Sequence, residues 1–221
     1  MVKYDNNHWQ LLYELRARAS IYMMKLERAG IKPYVYGSLA RGDTSSSSDI
    51  DIIVPDIVSS YKIEVALEGK GIRKELVQAT PSSVLKGHFH LEDGIVVSFP
   101  LFRMMSRERE FYKWGGQIDL QGLRNRHRVP GVDKRLLLIE PTDFGHTEHG
   151  VIGYESYVAK VLGVSRAIAD ERVRVLRRRD DVGRTGVYLT HIVEDDESFE
   201  AVAKKLSDSD PALRRTIKRR E

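Results

Sequence analysis

Apolar and polar positions along the 221 residues change period several times, and each change predicts an element. Leu12, Leu15, Ala19, Tyr22 and Leu26 recur at steps of three and four, which puts them on one face of a long helix over 6–30. Asn6 or Asn7 can cap its start and Gly30 ends it, with Pro33 close behind. A short apolar run, Tyr34-Val35-Tyr36, then predicts a strand that turns at Gly37-Ser38. Alternation returns at Asp49-Ile50-Asp51, followed by Ile52-Ile53-Val54, and predicts a second strand. Val58, Tyr61 and Val65 mark a helix over 57–68, and residues 72–80 and 94–102 read as strands. Pro100 points to a sheet edge or a strand end. Residues 85–90 fit neither period cleanly. A charged helix over 103–112, a loop around Trp114-Gly115-Gly116, a short buried strand over 134–141 and a histidine-bearing loop over 144–150 follow.

The last third changes character. Tyr157, Val158, Val161 and Leu162 give an amphipathic helix, Gly163-Val164-Ser165 a tight turn, and 166–179 a second helix. A strand over 187–193 and a helix over 197–206 come next, then a basic tail with Arg214, Arg215, Lys218, Arg219 and Arg220.

The chemistry concentrates in 34–55. On a strand, Asp49 and Asp51 point to one side while Ile50 and Ile52 point to the other. Two carboxylates side by side repel unless a cation lies between them. Mg²⁺ takes carboxylate oxygens and keeps places for water and phosphates. Gly37 lets backbone approach a phosphate, and Ser38 offers a hydroxyl and an N–H. Asp-x-Asp alone is common, and 44–48 alone would read as a flexible linker.

Taken together, Gly37-Ser38, Arg41-Gly42 and Asp49-Ile50-Asp51 resemble the signature of the DNA polymerase beta-like nucleotidyltransferase superfamily, closest to its minimal, archaeal-like members. The resemblance covers about 1–110. It implies an α/β (α+β) fold, a small mixed sheet with flanking helices. It implies transfer of a nucleoside monophosphate from an NTP, ATP among them, to a hydroxyl of a nucleic acid such as tRNA or DNA, of a protein, or of a small molecule. Mg²⁺, with Mn²⁺ as substitute, would be held by Asp49, Asp51 and a third acid on a neighbouring strand. Glu75 is the candidate for that acid, because its setting, Lys74-Glu75-Leu76-Val77 followed by Thr80-Pro81, resembles the strand that bears the third acid in minimal nucleotidyltransferases; Glu92 and Asp93 are the alternatives, and the strand over 94–102 itself offers only Ser98. Gly37, Ser38 and Arg41 would hold the triphosphate. The alternative is a catalytically weak or inactive relative that serves as a nucleic-acid-binding regulator or a toxin–antitoxin component.

The stretch VAKVLGVSRAIADERVRVLRRRDDVGRTGVYL resembles a winged helix-turn-helix, which implies nucleic-acid contacts from Arg166, Arg172, Arg177, Arg178 and Arg184. The expected organisation is therefore a nucleotidyltransferase domain over 1–110, a connecting region over 111–150 and a winged-helix-like domain with the basic tail over 151–221. From 151 onward the chain carries 15 Lys and Arg against 13 Asp and Glu, so that region is barely basic. The dense patch Arg124–Arg128, RNRHR, can also hold phosphates.

The net charge of +4 suits anionic partners without requiring them. With no cysteine, disulfides, thiolate zinc sites and thiol nucleophiles are excluded together. His146, Glu148 and His149 lack the helical spacing of a zinc motif. No apolar run is long enough to span a membrane and no signal-peptide pattern opens the chain, so the expected setting is the cytoplasm. The pattern is silent on oligomeric state.

Overall fold

The computed structural model describes residues 1–69, 73–183 and 186–220. The elements in chain order are β1 (Val2–Lys3), α1 (Asn6–Arg28), β2 (Tyr34–Tyr36), α2 (Ser38–Arg41), β3 (Ile50–Ile53), α3 (Ser60–Ala66), β4 (Arg73–Gln78), β5 (Lys86–His90) and β6 (Ile95–Pro100). They continue as α4 (Ser106–Trp114), β7 (Gln117–Asp119), α5 (Leu120–Arg124), β8 (Gly131–Val132), β9 (Leu137–Thr142), β10 (Gly145–Gly150), α6 (Glu155–Leu162), α7 (Arg166–Val182), β11 (Leu189–Val193), α8 (Phe199–Ser209) and α9 (Pro211–Lys218). The mixed α/β class expected from the sequence is the class observed.

The chain forms two compact units. The first comprises Met1–Ser20, Tyr34–Ile50 and Arg109–Thr185; the second comprises Ile21–Pro33, Asp51–Glu108 and Gly186–Glu221. This division differs from the expected consecutive domains, because segments distant in sequence share each core.

In the first unit, β1, β10, β9 and β8 form an antiparallel sheet, and β2 pairs antiparallel with β7. Of residues 144–150, expected as a loop, Gly145–Gly150 are a paired strand and Phe144 belongs to the turn ahead of it. The apolar stripes of α6 and α7 (Val158, Ile168, Val173, Leu176) pack on Trp114, Val132, Leu136 and Leu138. The two helices are joined by a tight turn with Gly163 in the left-handed region. The pair is built into this core instead of standing as a separate domain.

In the second unit the strands lie in the order β11, β4, β5, β6, β3. β11 pairs antiparallel with β4, Leu189 opposite Gln78 and Val193 opposite Lys74. The strand expected as a wing is therefore the outer strand of this sheet. The core centres on Phe89, Phe99 and Phe199, whose rings lie 5.0–5.5 Å apart. Gly87 makes room for them, since a Cβ there would stand 2.3 Å from the Phe99 ring.

Two further expectations change. The α3 stripe is reversed: Tyr61 and Val65 are 73% and 58% exposed, while Ile63 is fully buried. Arg214, Arg215 and Lys218 of the basic tail lie in α9, and Arg220, just past its end, is buried. Its guanidinium donates to both carboxylate oxygens of Glu108 at 2.6 and 2.7 Å.

Candidate nucleotide site

In the first unit the chain leaves β2 through Gly37, whose φ of 77° and ψ of −145° suit glycine and strain any other residue. Its N–H donates to Gly116 O at 2.9 Å. One short turn of helix, α2, follows and is closed by Gly42 at φ 101°. The serine run after it is folded. Ser48 N–H donates to Ser45 O and Ser45 N–H donates to Ser48 Oγ, both at 2.9 Å. The Ser38 hydroxyl donates to Ser48 Oγ at 3.2 Å. That bond returns Ser48, and exposed Asp49 after it, to the Gly37–Ser38 turn.

Arg41, expected at the triphosphate, is 5% exposed and turned inward. It holds both Asp43 oxygens at 2.9 Å and donates to Gly115 O at 2.6 Å. Its charge is spent on bracing the Gly42 turn.

In the second unit, half-buried Asp51 sits in β3 beside fully buried Ile52. Glu75 stands on β4, with β5 and β6 between it and β3. Three inter-strand spacings amount to about 14 Å, against the ~2.1 Å of a Mg–oxygen bond. Glu75 instead lies 2.8 Å from His90 Nε2. Asp51 and Glu75 are therefore not brought together. Of the alternatives, Glu92 and Asp93 lie in a single 3₁₀ turn, Glu92–Gly94, ahead of β6.

Within the second unit the strand that borders β3 is β6, where Val54 N–H donates to Ser98 O at 2.9 Å. The polar side chain it offers is Ser98, 3% exposed, its Oγ 3.0 Å from His88 Nδ1. Burial, reinforced by Lys86 and His90, pushes His88 down to about 3, so it is neutral at physiological pH. Its Nε2 is buried without a hydrogen-bond partner. The sequence pointed past this pair because two histidines on an ambiguous stretch carry no motif.

The α7 arginines divide. Arg166 is exposed, bonded to Ser156 Oγ at 2.7 Å and Asp170 at 3.3 Å. Arg172 lies 4.9 Å over the Phe111 ring, and burial lowers its pKa. Arg177 and Arg178 line an open cleft of about 430 Å³ with Arg174, Glu155, Asp170 and Asp181, a mixed rather than basic lining. Arg184 lies outside the described residues.

Residues 23–84 match the family model of the nucleotidyltransferase domain, a span that includes the Gly37–Ser38 turn, both aspartates and Glu75. Over that stretch the chain is similar to nucleotidyltransferases. No curated protein and no solved structure matches the chain. Among the described residues no helix is long and apolar enough to cross a membrane.

Proposed function

We propose that the chain binds a nucleoside triphosphate at the Gly37–Ser38 turn and transfers its nucleoside monophosphate to a hydroxyl. The acceptor oxygen bonds to the α-phosphorus, the bond from the α-phosphorus to the bridging β-phosphate oxygen breaks, pyrophosphate leaves, and the acceptor's proton passes to solvent water. The observation that carries this reading is the Ser38–Ser48 bond, which folds the serine run so that Asp49 returns to the glycine turn. The family match over 23–84 supports it.

Gly37 lets backbone approach the phosphates, and Ser38 supplies a hydroxyl. Asp49 and Asp51, spaced by one residue, would hold Mg²⁺, which supplies charge neutralisation on the phosphates. Arg41 serves by bracing the turn through Asp43 and Gly115. Two carboxylates suit one Mg²⁺ that shares its remaining places with water and phosphate. Among the described residues no three His, Asp or Glu side chains gather to hold a metal, so three-acid ligation of two metals does not fit.

Ser98 on the bordering strand favours a second reading, in which the NTP is bound without turnover. Incubation with Mg²⁺ and each α-labelled NTP, against tRNA, DNA and protein acceptors, separates the two. Label transferred by the wild type and absent with Asp49→Asn/Asp51→Asn supports transfer. NTP binding without transfer to any acceptor supports the second reading. Absence of NTP binding overturns both.

A further inference from the structure

The first unit carries an aromatic and arginine surface that nucleotide binding does not use. Trp9 and Tyr13, one helical turn apart on α1, have ring centroids 6.2 Å apart and planes 23° from parallel. Tyr13 is 40% exposed. The Arg126 guanidinium lies 5.0 Å over the Tyr13 ring, and that of Arg128 lies 4.8 Å over Trp9. Arg124, Arg126 and His127 are exposed.

The patch is held in place from beneath. Arg16 is 4% exposed and donates to His127 O at 2.7 Å, Leu39 O at 2.8 Å and Ala40 O at 3.1 Å. One buried cation thus ties the RNRHR loop to α1 and to the backbone that follows Ser38. Burial, then repulsion from Arg128, lowers Arg16 to about 10, so it still carries its charge at physiological pH. Arg128 is anchored by Gly145 O at 2.7 Å and by Thr142 O. Arg126 sits at φ 57°, a left-handed conformation uncommon outside glycine, and it is this residue whose side chain covers Tyr13.

We infer that this surface binds single-stranded nucleic acid. Half-exposed Tyr13 and the exposed Arg126 guanidinium that covers it offer stacking to bases, and Arg124 and Arg126 offer charge to the phosphates between them. A duplex hides its base faces and a free phosphate has none, so the aromatic half of the patch favours an unpaired strand. The carboxylates nearest these rings in sequence are Asp5, just ahead of α1, which accepts from His8 N–H at 2.8 Å, and Glu14 on α1, which accepts from Gln10 at 2.8 Å. A strand held here is the natural acceptor if the chain transfers nucleotides, but the binding itself does not depend on that reading.

The test uses the full chain in EDTA without NTP, and fluorescein-labelled RNA and DNA of about 12 nucleotides, within the span such surfaces cover. Single strands should bind more tightly than the matching duplex, with affinity falling as salt rises. Tyr13→Ala should weaken binding about tenfold, and Tyr13→Trp should restore it. Arg126→Ala should weaken binding and reduce the salt slope by about one. Trp9 fluorescence should quench on binding, a signal lost in Trp9→Phe, while Trp114, 3% exposed, stays silent. Failure of either strand to bind at low salt, unchanged affinity in both Tyr13→Ala and Arg126→Ala, or a preference for duplex overturns the inference. Asp51→Asn protein should bind strands as the wild type does, so loss of transfer and loss of strand binding are read separately.

Discussion

Ser98 Oγ stands 3.0 Å from His88 Nδ1, on the strand that borders β3. A hydroxyl bonded to a buried neutral imidazole is the polar side chain that this neighbouring strand presents, in place of a carboxylate. Ser98→Asp should therefore raise nucleotidyl transfer by roughly tenfold or more, the scale of a well-placed metal-site group. Incorporation of α-labelled NTP measures this. The new carboxylate should also raise the His88 pKa from about 3, which NMR titration of the imidazole reads.

His88 makes stability depend on pH with a definite sign. Its folded pKa is depressed from 6.5 to about 3 by burial, so between those values the unfolded chain binds a proton that the folded chain does not. Its contribution is fully present above about pH 6.5 and is lost as pH falls toward 3. The slope approaches ~1.4 kcal/mol per pH unit within that window. Urea unfolding at successive pH values should show this slope, reduced in His88→Gln.

Arg220 and Glu108 tie α9 to the start of α4. Burial alone would push Glu108 up. Hydrogen bonds from Arg220 and from the Met105 and Val84 N–H groups outweigh it and hold the carboxyl below its ordinary value. Its contribution is therefore present above the unfolded carboxylate pKa and is lost as pH falls through the lower folded value. Arg220→Ala leaves a partly buried carboxylate without its cation, and should cost about 3 kcal/mol in denaturant unfolding.

Gly37→Ala meets no atom within 4 Å, so its cost is conformational. At φ 77° and ψ −145° an alanine should lose about 1–3 kcal/mol, or move the turn. Thermal unfolding and NTP affinity, measured together, should both fall.

Arg16→Met keeps an apolar side chain of similar length and removes the donors to Leu39, Ala40 and His127. Three carbonyls then lose charged partners, and a loss of about 3 kcal/mol is expected from denaturant midpoints.

The stretch from Tyr34 to Val54 was legible because its information is local. A glycine turn, a hydroxyl and an alternating Asp-Ile-Asp depend on backbone conformations that neighbouring residues impose. The α1 helix was legible for the same reason: Leu12, Leu15 and Leu26 repeat along its buried face. Local pattern determines which side of an element is apolar. It does not determine which partner covers that side. β11 reads as a wing until β4 pairs with it, and α6 and α7 read as a domain until Trp114 and Leu138 complete their core. The same holds for charge. Arg41 looks free in sequence, yet Asp43 and Gly115 claim it. Glu75 looks close to Asp51 in strand order along the chain, yet β5 and β6 come between. Strand order, the partner of each buried cation, and the stacking of Arg126 on Tyr13 are long-range pairings, and only the tertiary structure decided them.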